Sequence, residues 1–567
     1  MARTVGIGKQ DFEKIRVNNN FYIDKTDFIR EWWEADDDVT LITRPRRFGK
    51  TLNMSMVKEF FSVTYAGRAE LFEGLSIWEE KTPDGNYGYR RQQGTWPVIS
   101  FSFANVKEKK FDTARGKICQ ILSDLYSENR FLLKEGILDD KEKKFFRNVG
   151  TGMDDVTATL AVHQLCSYLS RYYGKKVILL LDEYDTPMQE AYLNGYWEEM
   201  AAFIRSLLNA SFKTNPCLER ALMTGITRIG RESIFSDLNN LEVVTTTSDK
   251  YAECFGFTEE EVFAALEEYD LAAKREEVKQ WYDGFTFGTC TDIYNPWSIL
   301  NYLDKGKVGA YWANSSSNSL VGKLIREGSA EIKMTMERLL RGEIFHTTFD
   351  EQMVFEQLEQ GDDGVWNLLL AGGYLKIVHH GFHAVRRRME YDLALTNVEV
   401  QVMFERMIES WFSGCRRVTQ AFLQALVADD VKAMNAYMNK VALQTFSYFD
   451  TGKNPSEEEP ERFYHGFVLG MMVEMAEQYT ITSNRESGFG RYDVVLEPKE
   501  DDAFAVIMEF KVQDGEEKDL TDTAREALRQ IEEKDYQAGL LAKGIAKERI
   551  RKYGFAFRGK TVLIEAG

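Results

Sequence analysis

Apolar residues cluster along the first half of the chain in blocks that have the length of single strands and helices. Residues 38–43 form a short apolar block, and residues 51–63 follow with apolar side chains at helical spacing. The five consecutive apolar residues at 177–181 predict a strand buried on both faces, as in the middle of a parallel sheet. Residues 96–106 and 219–235 predict two further strands, the second of which runs into a polar loop. Together these blocks predict an N-terminal α/β domain.

A second α/β pattern occupies the end of the chain. Residues 485–512 predict two strands joined by a charged turn. A helix is predicted on each side of this hairpin, over residues 460–479 and 522–541. The polar segment 449–461 contains two prolines and is the best candidate for a linker before this domain.

The region between the two α/β patterns is predicted to be mostly helical. A helix is expected to begin after Thr258, because Glu261 three residues later completes a capping box. We interpret residues 249–400 as a helical lid with winged-helix character and residues 401–455 as a helical connector and linker.

Length and charge limit the classes of protein that fit. A chain of 567 residues is too long for one ordinary hydrophobic core, so we expect two to four domains. The net charge of −19 argues against broad electrostatic attraction to nucleic acid. Three basic stretches, 44–47, 386–388 and 547–560, are either local binding patches or ordinary solvated surface.

Targeting and metal-binding signals are missing from the sequence. The N-terminus lacks the apolar core of a signal peptide, and no run of 18 or more apolar residues occurs. The six cysteines include no C-x-x-C pair, and the six histidines show no metal-ligand spacing. We therefore expect a cytoplasmic protein with reduced thiols, without a membrane span or a structural zinc site.

The sequence Gly49-Lys50-Thr51 is the tail of a phosphate-binding loop. It lies between a predicted strand and a predicted helix, and a helix N-terminus favours an anion through its free N–H groups and its dipole. Lys50 is expected to reach the β- and γ-phosphates of a nucleoside triphosphate, and the Thr51 hydroxyl to meet Mg²⁺. Arg46 and Arg47, in the same loop, are further nucleotide-binding candidates.

Two features count against this motif when it is taken alone. Arg44 stands where the motif has its first glycine, and Pro45 pushes Arg44 toward an extended conformation. A second Gly-Lys-Thr copy at 559–561 is followed by strand-like residues, so no helix N-terminus is available there. We interpret the second copy as accidental.

The predicted buried strand supplies the second half of a nucleotide site. It ends at Asp182 and Glu183, and such acidic residues lie where parallel sheets bind ligands. Asp182 is expected to hold Mg²⁺ and Glu183 to activate the attacking water, unless the pair is a plain acidic turn. Thr224 is the candidate γ-phosphate sensor. Arg228 and Arg231 follow it along the chain. Either could contact the nucleotide of its own subunit or that of a neighbouring subunit, and both could equally be surface residues.

The C-terminal hairpin carries a second acidic constellation. Glu509 and Lys511 are two residues apart on a predicted strand, so both project from one face. Together with Asp493 on the preceding strand, Glu509 gives an oxygen-rich site that suits Mg²⁺ or Mn²⁺. Lys511 could then position a water for metal-assisted phosphodiester hydrolysis. The alternative is an ordinary surface Glu-x-Lys pair, and nearby His465 is either part of the site or a core histidine.

These motifs together resemble a bacterial family that joins an N-terminal AAA-ATPase-like domain to a C-terminal PD-(D/E)XK nuclease domain. The resemblance rests on "FYIDKTDFI", "TRPRRFGKTLNMSM", "LLLDEYDTPM" and "TGITRIGRESIFSDLNNL", and later on "ERFYHGFVLGMM", "NRESGFGRYDVVL", "MEFKV" and "ALRQIEEKDY". Arginine in place of the first loop glycine is usual in that family.

The resemblance implies roles for particular residues. It implies Lys50, Thr51, Asp182 and Glu183 as nucleotide-site residues, with Gly49 in the loop. It likewise implies a nuclease triad made of Asp493, Glu509 and Lys511. More loosely, it implies three supporting residues, which are Glu461, Glu486 and Gln530.

The expected fold class is multidomain α/β. We expect an AAA-like P-loop ATPase domain with a parallel sheet at 1–248, the lid at 249–400, the connector at 401–455 and a restriction-endonuclease-like α/β domain at 456–567.

The expected function is an ATP-binding and ATP-hydrolysing protein coupled to a Mg²⁺-dependent nuclease that cleaves DNA. Two alternatives remain open from the sequence. In one, the C-terminal domain binds nucleic acid or protein without cleavage, which the acidic net charge favours. In the other, the chain is a nucleotide-gated scaffold that assembles as a homo-oligomer.

Overall fold

The computed structural model covers the whole chain and describes most of its residues. The described residues are 2–567 except 83–84, 135, 214, 229–233, 236–237, 314–318, 341, 349–362, 384–386, 412–415, 450–467, 469–471, 473–474, 488–489, 501–502, 514–518 and 559–560. The described chain forms two compact units, residues 1–321 with 339–401 and residues 322–338 with 402–567.

Strands in the described residues are short and distributed over both units. They are β1 (Val39–Thr43), β2 (Val98–Ser102), β3 (Val177–Asp182), β4 (Leu218–Gly225), β5 (Leu241–Val244), β6 (Phe257–Thr258), β7 (Phe285–Phe287), β8 (Cys290–Tyr294), β9 (Phe345–Thr347), β10 (Leu375–His383), β11 (Arg388–Leu395), β12 (Tyr479–Ser487), β13 (Gly490–Pro498), β14 (Ala505–Val512), β15 (Ile550–Arg558) and β16 (Thr561–Ala566).

Helices connect these strands along the described chain. They are α1 (Phe12–Val17), α2 (Asp27–Ala35), α3 (Lys50–Phe61), α4 (Ser76–Glu79), α5 (Phe111–Glu128), α6 (Asp140–Asn148), α7 (Asp155–Tyr173), α8 (Thr186–Asn194), α9 (Trp197–Phe212), α10 (Glu259–Glu268), α11 (Arg275–Tyr282), α12 (Pro296–Lys305), α13 (Ser319–Glu327), α14 (Ala330–Leu340), α15 (Asp363–Ala371), α16 (Val398–Trp411), α17 (Arg416–Val427), α18 (Val431–Phe449), α19 (Leu520–Glu533) and α20 (Ala538–Ala542). No described helix has both the length and the apolar character needed to cross a membrane.

The N-terminal sheet is parallel and has the order β2-β3-β4-β1-β5. Every residue of β3 is buried, as the run of apolar residues at 177–181 predicts. Strand β4 lies between β1 and β3, so the strand that carries Thr224 separates the phosphate-loop strand from the acidic strand. The carboxyl ends of these three strands therefore meet at one edge of the sheet.

Two small antiparallel sheets follow within the first unit. Their orders are β6-β8-β7 and β10-β11-β9. Helix α10 begins as the sequence predicts, since Thr258 and Glu261 form both bonds of a capping box. Strands β10 and β11 form a hairpin whose neighbour in its sheet is β9.

The C-terminal sheet is mixed, with the order β12-β13-β14-β15-β16. Its strands are antiparallel except for β14 and β15, which run parallel. Strand β14 is central, and its alternating side chains enter different apolar clusters, with Met508 and Phe510 on one face and Ala505 and Ile507 on the other. The chain is thus a mixed α/β protein with a parallel N-terminal sheet and a mixed C-terminal sheet.

The predicted helices of the C-terminal part differ from the structure at their ends, since residues 475–478 are not α-helical and Tyr479 already belongs to β12. The helix expected over 522–541 ends at Glu533, and a separate short helix begins at Ala538. Asp535 between them has a left-handed backbone with φ 49°, which a continuous helix does not accommodate. Periodicity alone could not locate this break, because apolar spacing continues across it.

Candidate functional site

The phosphate loop spans the gap between the end of β1 and the start of α3. Helix α3 begins at Lys50, with Gly49 as its N-cap in a left-handed conformation at φ 82°. Arg47 is also left-handed, with φ 67°. The loop therefore makes its turns at these two positions, and a glycine at position 44 is not required for the chain to close.

Arg44 has a structural place beneath this loop. Its side chain is fully buried, and its guanidinium donates hydrogen bonds to the carbonyls of Thr43 at 3.0 Å and Thr245 at 2.6 Å. The guanidinium also lies over the Phe287 ring, 4.4 Å from the ring centroid. Its backbone N–H bonds to the carbonyl of Gly225, so residue 44 extends the strand pairing beyond β1. Burial lowers the pKa of Arg44.

Four predicted nucleotide-site residues meet at the edge of the sheet. The Thr51 hydroxyl donates to the Asp182 carboxylate at 2.8 Å, and the Thr224 hydroxyl donates to its other oxygen. The buried Lys50 ammonium donates to the carbonyls of Arg44 and Pro45, both at 2.8 Å. Burial raises the pKa of Asp182 and lowers that of Lys50. Each group thus carries a desolvation cost that an opposite charge would offset.

Glu183 has an uncommon backbone conformation for a non-glycine residue. Its φ is 51°, and its carboxylate accepts a hydrogen bond from the Thr186 hydroxyl at 3.1 Å. Strain of this kind is often found at functional sites. The negative charge of Glu183 acts on both Lys50 and Arg47, opposing the lowering of their pKa by burial. The structure therefore places Glu183 at the same edge as the phosphate loop.

The four candidate arginines differ in their surroundings or lie outside the described residues. Arg47 is exposed and stacks over Trp297, with 4.0 Å between the guanidinium carbon and the ring centroid. The Arg46 guanidinium donates to Gln189 at 3.4 Å. Arg228 follows β4 and is half-buried, whereas Arg231 lies outside the described residues.

The sequence analysis missed Asp185. This carboxylate is fully buried, and one of its oxygens accepts the backbone N–H groups of Ile226 at 3.0 Å and Thr227 at 2.9 Å. It also accepts the side-chain amide of Gln189 at 2.9 Å. Asp185 therefore holds the loop that follows Thr224, and a second aspartate three residues after Asp182 was the signal for it.

Two cavities flank the phosphate loop. One, of about 80 Å³, lies between the N-terminal segment, the phosphate loop and the residues around β6, with Tyr22, Gly49, Asn53 and Phe257 in its lining. The other, of about 50 Å³, is lined by Arg46, Thr227 and apolar residues of the first unit.

In the second unit, two predicted acidic residues lie where β13 and β14 stop pairing. The register of the two strands runs from Leu496 and Val506 to Val494 and Met508. Immediately beyond it, the Asp493 N–H donates to the Glu509 carboxylate at 3.3 Å. The Phe510 N–H donates to the Asp493 carboxylate at 2.7 Å. The two carboxylates therefore lie together at the point where the ladder ends.

Helix α19 completes the surroundings of Glu509. Gly554 on β15 lies opposite Glu509, and a Cβ at this position would come within 2.2 Å of the Ala524 carbonyl oxygen. Glycine therefore lets α19 approach the sheet closely enough for the Gln530 amide to donate to Glu509. The same amide group donates to the Tyr536 hydroxyl at 3.1 Å.

The structure brings together only part of the predicted nuclease set. Lys511 lies two residues after Glu509 on β14 and is half-buried. Glu461 and His465 lie outside the described residues, and so does the side chain of Glu486, whose backbone pairs with Arg491 in the sheet. Most of the helix predicted over 460–479 also lies outside the described residues.

Both acidic sites fit a divalent cation by their chemistry. Thr51 with Asp182, and Asp493 with Glu509, present hydroxyl and carboxylate oxygens, which are the ligands that Mg²⁺ prefers. Glu509 is only 3% exposed, and burying a carboxylate costs several kcal/mol unless hydrogen bonds or a cation compensate.

A third acidic group, near α10 and β8, was not predicted. The carboxylates of Glu259, Asp283 and Asp292 lie within 4.8 Å of one another. The Lys279 ammonium reaches two of them, Glu259 at 2.5 Å and Asp292 at 3.7 Å. This cluster is therefore already neutralised in part by the protein itself.

Comparison with known proteins finds a family match for the N-terminal part of the chain and another for the C-terminal part. Residues 6–235 match the family model described as a predicted AAA-ATPase, and residues 459–567 match the model of the PD-(D/E)XK nuclease superfamily. The chain is also 24% identical over 550 residues to the "Uncharacterized protein in vnfD 5'region" of Azotobacter chroococcum mcd 1. That alignment covers 95% of this chain and 94% of the relative. The resemblance found in the sequence motifs is confirmed.

Proposed function

Because the chain joins an AAA-ATPase-like domain to a C-terminal PD-(D/E)XK nuclease superfamily domain, we propose that it hydrolyses ATP and cleaves phosphodiester bonds in DNA. The observation that carries the proposal is one arrangement that occurs twice. In each unit a buried carboxylate on the sheet has a lysine in its vicinity: Asp182, at the end of β3, interacts electrostatically with Lys50, and Glu509 lies two residues before Lys511 on β14.

In the ATPase half, the start of α3 binds the phosphates. Backbone N–H groups from Gly49 onward and the Lys50 ammonium neutralise phosphate charge, with Arg46, Arg47 and Arg228 as further contacts. Thr51 and Asp182 would hold Mg²⁺, which supplies charge neutralisation at the phosphates.

Two further residues act on the reaction in this half. Glu183 accepts a proton from the attacking water. Thr224 senses the γ-phosphate from β4, the strand between β1 and β3. The adenine ring of ATP would lie in the cavity of about 80 Å³ beside Gly49.

In the nuclease half, Asp493 and Glu509 would hold Mg²⁺ or Mn²⁺, which polarises the phosphate and lowers the pKa of bound water. Lys511 orients the nucleophile and offsets charge on the phosphate. Gln530 keeps the Glu509 carboxylate in place through its hydrogen bond. Glu461 and Glu486 are supporting candidates.

The four regions predicted from the sequence provide the frame for coupling. We propose that ATP bound in residues 1–248 changes the packing of a winged-helix-like lid at 249–400, and that the connector at 401–455 passes this change to the nuclease at 456–567. We further propose a cytoplasmic homo-oligomer that acts on DNA.

Cleavage assays test the nuclease half directly. Linear, circular and single-stranded DNA, and RNA, are incubated with Mg²⁺ or Mn²⁺, each with and without ATP. Wild type is compared with Lys511→Ala and with Lys534→Ala, which removes an exposed lysine of the same domain. We expect cutting of DNA that disappears only in Lys511→Ala and changes with ATP. Absence of cutting by wild type under every condition would instead favour a C-terminal binding module.

A further inference from the structure

The hairpin of β10 and β11 in the first unit is buried at one end and exposed at the other. Leu375 and Leu393 at its root are buried in the core, and so is Tyr391, which pairs with His380 farther along the hairpin. Toward its tip, Val378 is 50% exposed and Phe382 is 64% exposed. Two large apolar side chains exposed on the same hairpin offer apolar surface to a binding partner.

The exposed end of this hairpin is also basic. Residues 375–395 contain one lysine, three arginines and three of the six histidines of the chain, against only two acidic residues. Arg387, Arg388, His379 and His380 are exposed. We call residues 378–383 with 387–388 the basic tip.

The two acidic residues of the hairpin share a histidine partner on a neighbouring strand. His346 of β9 contacts Asp392 through Nδ1 at 2.8 Å and lies 3.6 Å from Glu390 through Nε2. Both acids lie on β11 opposite residues of the basic tip, since Glu390 pairs with Gly381 and Asp392 pairs with His379. Arg387 and Arg388 lie closer to the turn of the hairpin than either acid, because Arg388 pairs with His383 at the end of the ladder.

The root of the hairpin rests on the phosphate loop. Gly373, with φ 81°, precedes β10, and a Cβ at this position would come within 2.8 Å of the Pro45 side chain. The Thr396 hydroxyl, just after β11, donates to the Gly373 carbonyl at 2.8 Å. Any shift of the phosphate loop at Pro45 therefore acts directly on the root of the hairpin, where β10 begins and β11 ends.

A second contact connects the same two elements. The Trp312 indole donates to the carbonyl of Arg46 at 2.9 Å, and its ring lies 5.5 Å from that of Tyr374 at the start of the hairpin. The cavity of about 50 Å³ lined by Arg46, Trp312 and Tyr374 leaves space for these side chains to rearrange.

From these contacts we propose that the basic tip binds duplex DNA, and that the nucleotide state of the phosphate loop adjusts this binding. Arg387 and Arg388 pair with phosphates, and Phe382 packs against sugars or base edges. A positive tip on a chain of net charge −19 is complementary to a polyanion. A two-stranded ribbon enters the major groove of B-form DNA, whereas the major groove of an RNA duplex is too narrow.

This inference rests on the proposed ATP site but not on cleavage, so it can be tested apart from the nuclease. The full chain carrying Lys511→Ala serves as the parent, which keeps the probe intact. Binding of a labelled DNA duplex of about 30 base pairs is followed by anisotropy from about 50 to 200 mM salt. The test variant is Arg387→Gln with Arg388→Gln. Lys144→Gln with Arg147→Gln, on α6, removes the same charge from another exposed surface of this unit.

We expect the hairpin variant to bind DNA at least about tenfold more weakly, with a salt slope reduced by about 2, because two phosphate contacts are lost. The control is expected to bind like the parent. Phe382→Ser is expected to weaken binding and leave the salt slope unchanged. Thermal melting and the ATPase rate report whether each variant is folded.

Three results would overturn the inference. The first is equal affinity and salt slope for the hairpin variant and the control, and the second is a parent that does not bind DNA. The third is an equal or larger loss on an RNA duplex, which would reject DNA as the partner. The dependence on nucleotide fails if a non-hydrolysable ATP analogue leaves the affinity of the parent unchanged. A wild type that never cuts DNA would reject the nuclease and leave the hairpin result standing.

Discussion

The Thr51 hydroxyl donates a hydrogen bond of 2.8 Å to the carboxylate of Asp182. These residues are 131 positions apart in sequence, and the bond joins the first turn of α3 to the end of β3. Thr224 reaches the same carboxylate from the strand between them. The helix that follows β1 and the neighbouring strands β4 and β3 thus converge on one acidic group.

Loss of the Lys50 ammonium should strongly weaken nucleotide binding. We expect Lys50→Ala to weaken ATP binding by about 100-fold, or about 3 kcal/mol, because a buried charged donor at the phosphates is lost. Titration calorimetry measures the affinity. Lys560→Ala, in the second Gly-Lys-Thr copy, is the matched control and should bind ATP normally. Equal loss in both variants would contradict the assignment of the loop.

Removal of the Glu183 carboxylate should separate binding from hydrolysis. We expect Glu183→Gln to lower kcat for ATP by about 100-fold or more and to leave the affinity for ATP nearly unchanged, because a general base is lost while the phosphate contacts remain. Steady-state ATPase kinetics measure both parameters. Glu190→Gln, on α8, should behave as wild type. A rise in KM with unchanged kcat would argue against the role of Glu183.

Restoring the glycine that phosphate loops usually have should harm this protein. Arg44→Gly removes a buried side chain and its hydrogen bonds to Thr43 and Thr245. We expect the free energy of unfolding to fall by about 3 kcal/mol, as when buried hydrogen-bonded groups are lost. Arg44→Lys keeps the charge without the planar contact with Phe287 and should be intermediate. A melting temperature of Arg44→Gly at or above that of wild type would refute this role.

Gln530 should support cation binding through Glu509. We expect Glu509→Gln to abolish Mn²⁺ binding at the Asp493–Glu509 site in calorimetry and Gln530→Ala to weaken it by about tenfold, as is typical of residues that orient metal ligands. Glu533→Gln, at the end of the same helix, is the control and should bind Mn²⁺ like wild type. If Glu509→Gln kept full affinity for Mn²⁺, Glu509 would not be a ligand.

Glu399 should make stability depend on pH. Its buried carboxylate accepts hydrogen bonds from the Ser298 hydroxyl and the Trp312 N–H, both at 2.7 Å, and burial raises its pKa to about 7. The folded chain therefore binds this proton more tightly than the unfolded chain, whose glutamate pKa is about 4.3. The resulting stability is fully present below about pH 4 and is lost as pH rises through about 7.

Glu399→Gln tests this dependence. The variant should gain up to about 3 kcal/mol relative to wild type between pH 5 and pH 8, because it has no proton to lose. Denaturant unfolding of both chains across this range measures the difference. A difference that does not change with pH would rule out titration of Glu399, whatever its absolute size.

Much of the two sites could be predicted from local sequence. The loop at Gly49 to Thr51, the buried strand that ends at Asp182 and the Glu509-x-Lys511 strand all lie in the predicted elements. Each is a short pattern whose meaning depends on its immediate neighbours, such as apolar residues before an acid or a helix after a glycine.

The sequence by itself determined which residue types carry the chemistry and on which elements they lie, because strand and helix periodicity is a local property. Only the tertiary structure decided the role of the Arg44 side chain, since its guanidinium bonds to the carbonyl of Thr245, 201 positions away. It likewise decided that Asp185 holds the loop after Thr224, and that Gly554 brings Gln530 to Glu509. These contacts arise from packing between distant segments, which no local pattern encodes.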